Sequence, residues 1–203
     1  MPKTLYLINP AASFPFYYET GVYSQLGFQP ATMMAHLALT TVAAMVPDDF
    51  AVQVCDERIF SADFDCTADI IGITGTYSQL RRIITLARAF RRQGRIVVIG
   101  GPLASLYPEA VRPHCDIVVR GELEQVAARL FSDLRKGTWQ AEYIGEWADL
   151  SLSPVLRWDL YPNDRSVIGS LQTSRGCPFE CEFCSVQAYA GRRQRYKPLA
   201  HIL

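Results

Sequence analysis

The chain has 203 residues, 49% hydrophobic and 20% charged, and its 20 basic side chains balance its 20 acidic ones. That is the composition of one large folded domain, or of one domain and part of a second, and zero net charge gives no general attraction to nucleic acid or to an anionic membrane. The longest apolar run, LALTTVAAMV, is too short to span a bilayer, and the start MPKTLYLINP carries no cleavable signal pattern, so a cytoplasmic protein with reduced thiols is expected.

The run KTLYLIN (3–9), closed by Asn9 and Pro10, reads as a strand. An aromatic, glycine-bearing loop follows, and from Pro30 the stretch PATMMAHLALTTVAAMVP has helical spacing up to a stop at Pro47. FAVQVCD (50–56) is a second strand, and DIIGITG (69–75), apolar throughout, a third of the kind buried on both faces. TYSQLRRIITLARAFRRQG (76–94) is an amphipathic helix ended by Gly94, and RIVVIGG (95–101) is the fourth strand. A short helix is expected over 103–112, a fifth strand at CDIVVRG (115–121), and a helix at ELEQVAARLFSDLRKG (122–137) with basic residues in its last turn.

Strand and helix alternate in this way in a doubly wound parallel sheet, an α/β fold of roughly 140 residues. Ligands of such sheets bind outside the carboxyl ends of the strands. Those ends are Asn9 and Pro10, then Gly75, Thr76 and Tyr77, then Gly100, Gly101 and Pro102, then Gly121 and Glu122. Any one glycine pair there serves a tight turn equally well, but glycines at three strand ends on one edge favour the approach of a large ligand. Asp56 and Glu57 end the second strand and read as solvated carboxylates.

Periodicity weakens after Gly137. Residues 142–165, rich in turn signals, read as a linker packed by Trp147 and Trp158. SVIGSLQTS (166–174) is a further strand and leads into TSRGCPFECEFCSVQ, where three of the six cysteines, Cys177, Cys181 and Cys184, fall within eight residues. A structural zinc site needs four ligands, and a redox pair would leave Cys177 without a role. Three closely spaced thiolates suit three irons of a 4Fe–4S cluster, leaving the fourth open. Gly176 and Pro178 shape a loop rather than a core strand.

SRGCPFECEFCSV resembles the cluster motif of the radical S-adenosylmethionine (radical SAM) enzymes. IGGPLAS, DIVVRGELE and VLRWDLYP resemble the cobalamin-binding N-terminal domain and linker of the cobalamin-dependent branch, and GRRQRYKPLAHIL resembles the segment after the cluster loop. The resemblance implies that Cys177, Cys181 and Cys184 hold the cluster and that Phe183 lies near the adenine of S-adenosylmethionine. It implies cobalamin on the Rossmann-like edge at Asn9, Pro10, Gly75, Thr76, Tyr77, Gly100, Gly101, Pro102, Gly121 and Glu122. It also implies a cluster fed by an electron donor such as flavodoxin or ferredoxin, cleavage of S-adenosylmethionine to a 5′-deoxyadenosyl radical, and methylation of an unactivated carbon in a small molecule. The rivals are a radical cyclisation or rearrangement without methyl transfer, and a non-catalytic cobalamin- or nucleotide-binding module whose cysteines bind zinc.

The sequence departs from the cobalamin pattern in two places. INPAASFPFY lacks the Asp-x-His-x-x-Gly of methionine-synthase-type domains, and Leu103 stands where a histidine often follows the paired glycines. His36, His114 and His201 read as core or surface histidines, and cobalamin is expected to bind without a histidine on cobalt. Cys55, Cys66 and Cys115 read as buried small hydrophobes, and RRQRYK (192–197) as a solvated face. The expected organisation is a cobalamin-binding domain over 1–141, a linker over 142–165, and the start of a partial TIM-like radical SAM barrel over 166–203. A whole barrel takes about 250 residues, so the chain reads as a fragment of a longer enzyme.

Overall fold

In the computed structural model, which describes residues 3–12 and 32–202, KTLYLIN forms β1 (Lys3–Asn9) inside a six-stranded sheet. The other strands are β3 (Phe50–Asp56), β4 (Ile70–Thr74), β5 (Ile96–Gly100), β6 (Ile117–Arg120) and β7 (Glu142–Ile144), in the order β3-β1-β4-β5-β6-β7. All neighbours are parallel. Alternation divides β1 between two cores, with Tyr6 and Ile8 in one and Leu5 and Leu7 in the other. Covering both faces is what makes parallel strands apolar throughout.

Helices α1 (Leu37–Ala44), α2 (Leu80–Arg92), α3 (Gly101–Leu106), α4 (Pro108–Val111) and α5 (Ala127–Lys136) supply the cover. On α2, Ile83, Leu86, Ala87 and Phe90 recur at helical spacing and are fully buried on the Tyr6 side, while Arg81, Arg88 and Arg92 face water. Each large apolar side chain so buried contributes about 1.5–3 kcal/mol. Helix α5 buries Leu130, Phe131 and Leu134 on the Leu5 side, together with Leu39 and Ala43 of α1. Among the described residues no helix is long and apolar enough to cross a membrane.

The expected helix from Pro30 differs in the structure. Pro30 itself lies outside the described residues, and α1 starts only at Leu37. Thr32–Met34 forms β2 instead, which pairs in parallel with β8 (Ser166–Ile168). That tertiary pairing overrides helical spacing, with Thr32 fully buried. The expected linker also yields a strand: β7 extends the sheet past residue 141, with Tyr143 buried against the α5 side. Trp158 packs on that core and meets Tyr161 edge-on, whereas Trp147 is 56% exposed with its ring over Gly191. The strand expected over 166–174 is broken: β8 ends at Ile168, residues 169–173 have no regular structure, and Ser174–Arg175 forms β9 in a separate ladder.

At Gly121 (φ +72°) the chain leaves β6 with its backbone pressed against Gly145, which follows β7; a Cβ on Gly121 would fall inside the Gly145 carbonyl oxygen. Gly137 (φ +73°), which ends α5, has the same conformation, but nothing lies within 4 Å of the place a methyl group would take. The pair separates conformational strain from collision. Gly137→Ala should cost about 1–2 kcal/mol, the left-handed penalty alone, and Gly121→Ala about 3 kcal/mol or more, measured by urea unfolding.

Candidate functional site

The sheet order places β3 on one side of β1 and β4 on the other, so the winding of the strand order switches sides between β1 and β4. The crevice at such a point lies at the carboxyl ends of the two strands. There Gln79 joins them: its Nε2 donates to Asn9 Oδ1 at 2.9 Å and to the Pro10 carbonyl at 2.5 Å, and its Oε1 accepts from the Thr76 N–H at 2.8 Å. Asn9, Pro10, Gly75 and Thr76 are thereby held as one edge. Gly100 lies beside Thr74 in the β4–β5 register, and Leu103 N–H donates to the Gly75 carbonyl at 3.0 Å. Pro102 lies in the first turn of α3, and Tyr77, 65% exposed, meets Tyr107 edge-on at 5.5 Å.

Below this edge lies a cavity of about 90 Å³. Gly72, Val98, Leu39 and Phe131 line its apolar interior, and Gly100 and Gly101 line it at the strand ends. Gly72 leaves a gap in mid-strand: a Cβ there would come within 2.6 Å of Leu7 Cδ2. A cavity with so apolar a lining favours an apolar group over a polar one.

Asp56, fully buried at the end of β3, is not the solvated carboxylate expected. It accepts from Asn9 Nδ2 (3.0 Å), Arg58 Nε (2.9 Å) and the Tyr161 hydroxyl (2.6 Å). Burial pushes its carboxyl up, but the Arg58 guanidinium, with help from His36 and Tyr161, holds it below the usual range. Glu57 is likewise engaged, by Arg82 Nε at 2.8 Å and by the N–H groups of Ala11 and Ala62. His36, next to this group, has a buried Nδ1 with no hydrogen-bond partner, and burial pushes its imidazole down to about 4. His114 is lowered by burial and by Arg88 and Arg91, and His201 Nδ1 lies 2.8 Å from the Ser153 carbonyl.

The cysteine loop hangs from a two-stranded antiparallel ladder, β9 (Ser174–Arg175) with β10 (Arg195–Tyr196), and contains one helical turn, α6 (Val186–Ala190). Gly176 has φ +96°, and a Cβ there would collide with the Arg193 carbonyl, so the loop can leave the ladder only through glycine. Cys177 N–H donates to the Gly191 carbonyl at 2.9 Å and Cys184 N–H to the Cys181 carbonyl at 3.0 Å. All three thiols are free; Cys181 is exposed, Cys177 and Cys184 are half-buried, and Phe183 is 94% exposed. Among the described residues no three His, Cys, Asp or Glu side chains converge on a single-ion site. In an iron–sulfur cluster each thiolate takes its own iron, which spaces the sulfurs more widely than ligands of one ion.

Glu122 does not stand open at the ligand edge. It is 8% exposed, and its carboxylate accepts from Arg195 at 2.6 and 2.7 Å and from the Ala148 N–H at 2.7 Å. The basic run 192–197 is not a uniform solvated face either: Arg192 and Arg193 are exposed, but Arg195 turns inward to Glu122 and Lys197 is 6% exposed. Ladder alternation is the reason, since every second side chain of β10 points into the protein. Cys55, Cys66 and Cys115 are all buried, and burial pushes Cys55 and Cys115 up to about 11, which keeps both as thiols. Sequence reasoning does not reach Gln79, Arg58, Tyr161, Arg175 or Arg195 as site residues. Only Gln79 carries a local signal, the Thr-x-x-Gln of a capping box at 76–79.

Residues 29–131 match the family model of the B12 binding domain. The chain is 31% identical over 180 residues to hopanoid C-2 methylase of Rhodopseudomonas palustris, covering 85% of this chain and 34% of that protein. It is 30% identical over 176 residues to a protein of Synechocystis sp. named as an uncharacterized methyltransferase, covering 84% and 33%. It is 26% identical over 175 residues to bacteriochlorophyllide d C-8(2)-methyltransferase of Chlorobaculum tepidum, covering 79% and 38%. The chain thus spans about a third of the length of these relatives.

A lowered imidazole makes a pH prediction. With a folded value of about 4 against an ordinary 6.5, His36 takes up its proton only on unfolding, so stability is complete above pH 6.5 and falls as the pH drops toward 4. The stability of His36→Gln relative to the parent protein should therefore rise by roughly 2 kcal/mol between pH 7 and pH 4.5, read from urea midpoints.

Proposed function

Because the chain belongs to the family of B12 binding domains, we propose that it holds cobalamin at the carboxyl ends of β1, β4 and β5 and forms the N-terminal part of a cobalamin-dependent radical SAM methyltransferase. The observation that carries this reading is a juxtaposition: a glycine-lined strand edge above an apolar cavity, and a loop of three free cysteines anchored through Glu122 next to the end of β6. In the longer protein, the segment from β8 onward begins the radical SAM domain, 145–165 is the linker, and the barrel and substrate pocket follow.

The residues fit these cofactors. In this reading Asn9, Pro10, Gly75, Thr76, Tyr77, Gly100, Gly101, Pro102 and Gly121, at or beside the strand ends, would contact cobalamin, whereas the Glu122 carboxylate is occupied by Arg195. The described end of β1, Asn9 to Ala12, above this apolar cavity, offers no histidine to take the place of the cofactor's own base. The loop offers three cysteine sulfurs and no histidine, and of the carboxylates between them Glu180 is paired with Arg192, a donor set that suits iron and sulfide. Bound cobalamin supplies a transferable methyl group, and a 4Fe–4S cluster on Cys177, Cys181 and Cys184 supplies the electron that cleaves S-adenosylmethionine.

The protein's own part is positional. Gln79 fixes the two strand ends at the crevice, so the cofactor face does not have to be ordered on binding. Gly176 and the Gly191 carbonyl set the direction in which Cys177 leaves the ladder. Phe183, exposed on the loop, is available to stack on the adenine. Relatives named as a methylase and methyltransferases favour methyl transfer over rearrangement. The substrate is a small organic molecule, and the reductant a flavodoxin or ferredoxin.

Anaerobic reconstitution of the full-length protein should give about four irons with acid-labile sulfide per chain. Replacing Cys177, Cys181 and Cys184 together by Ala should abolish that uptake. Stoichiometric zinc in place of iron would overturn the radical reading. The Co(II) protein should show no nitrogen splitting from a histidine, before or after His36→Gln. Formation of 5′-deoxyadenosine and a rearranged product, with no methyl label moved, would replace methyl transfer by cyclisation.

A further inference from the structure

Arg175 and Arg195 stand directly opposite each other on β9 and β10, with side chains only 15% and 16% exposed. Two like charges paired across a ladder repel, the more so away from water. Glu122 and Glu124, just after β6, answer them. Glu122 grips Arg195 with both oxygens, at 2.6 and 2.7 Å, and lies 3.4 Å from Arg175. Glu124 meets Arg175 as an ion pair at 2.6 Å rather than as an aligned hydrogen bond. The group is closed by the Ala148 N–H on Glu122, and by Arg195 donating to the carbonyls of Ala148 and Ala190 at 2.7 and 2.8 Å. Lys197 is buried close by, its ammonium lowered by burial and by Arg175.

Two carboxylates and two guanidiniums, balanced in charge with Lys197 beside them, thus form a nearly dry junction. It joins the carboxyl end of β6, the stretch at Ala148 and the ladder that carries the cysteines. Arg175 immediately precedes Gly176 and Cys177. The loop's other anchors lie at its far end, where α6 packs on α3 with Ala190 buried and Gly191 sits under the Trp147 ring, whereas Phe179 and Phe183 are 72% and 94% exposed. Buried ion pairs contribute weakly to net stability, so their best-attested use is to fix one arrangement against others.

We propose that Glu122, through Arg175 and Arg195, is a positioning residue that holds the cysteine loop in one register against the cobalamin edge. The inference rests on the function proposed above and adds that methyl donor and radical source share one rigid frame. The test uses Glu122→Gln in the full-length protein, which keeps the shape and an acceptor for Ala148 but removes the charge. Hydrogen exchange should speed up about tenfold at the amides of 176–191 while β4, β5 and α2 stay unchanged. Iron and cobalamin contents should match the parent protein, and the 5′-deoxyadenosine formed per methyl group transferred should rise several-fold. Arg195→Lys, which keeps the charge but loses the fork, should give an intermediate result, and it decides the matter if Glu122→Gln loses protection throughout. Unchanged exchange at 176–191 would overturn the proposal. Faster exchange with unchanged coupling would reduce the junction to a structural contact and overturn the positioning role. A parent protein that binds neither iron nor cobalamin would defeat the proposed function, while the exchange comparison would still decide the junction.

Discussion

A parallel sheet covered on both faces has its ladder groups paired and its side chains spent on packing, so its chemistry can only be placed at strand ends. Everything distinctive in this chain follows from that constraint. The strand interiors are apolar in both directions, from Leu5 to Ile8 in β1 and from Val97 to Ile99 in β5. The polar and conformationally unusual residues gather at the carboxyl edge: Asn9, Asp56, Thr74, Gly101, Gly121 and Glu122. The reversal of strand order beside β1 opens that edge into a crevice, and the mid-strand gap at Gly72 leaves space beneath it.

Two of those edge residues are buried carboxylates, and each is neutralised by side chains from farther along the chain. Asp56 takes Arg58 and the hydroxyl of Tyr161; Glu122 takes Arg195 and approaches Arg175. A buried carboxylate without its partner is costly, by several kcal/mol. The same charges that would have been liabilities in the sheet thus specify where the following segment must sit, at two separated points on one edge. The β2–β8 pairing adds a third.

Much of this is legible in the sequence. The five apolar runs from KTLYLIN to CDIVVRG mark strands within two residues of the observed limits, because an apolar run is recognisable without its partner, whether it is central like β4 or at the sheet edge like β3. The three cysteines and Gly176 are readable as one loop from spacing alone. What escapes depends on distant partners. Thr32–Met34 reads as helix until Ser166–Ile168 is beside it, and EYI (142–144) reads as linker until β6 offers an edge. Glu122 reads as a ligand contact because its strand-end position is visible, whereas its claim on Arg195, 73 residues later, is not. Arg195 is hidden within a basic run, because sequence spacing does not say which members of a run turn inward.

The ladder between β2 and β8 bears on how such a protein can be divided. By chain order the linker is the natural seam, with a sheet before it and a cysteine-bearing segment after it. By contacts the seam runs elsewhere. Thr32–Met34 belongs with Ser166–Ile168, and Arg175 and Arg195 belong with Glu122 and Glu124. A chimera spliced at the linker would leave β2 as an unpaired edge strand and two carboxylates facing foreign side chains. The module held together by its contacts is therefore the sheet with its cysteine ladder, so a recombination that keeps it intact must cross over downstream of Tyr196 or exchange both glutamates with both arginines.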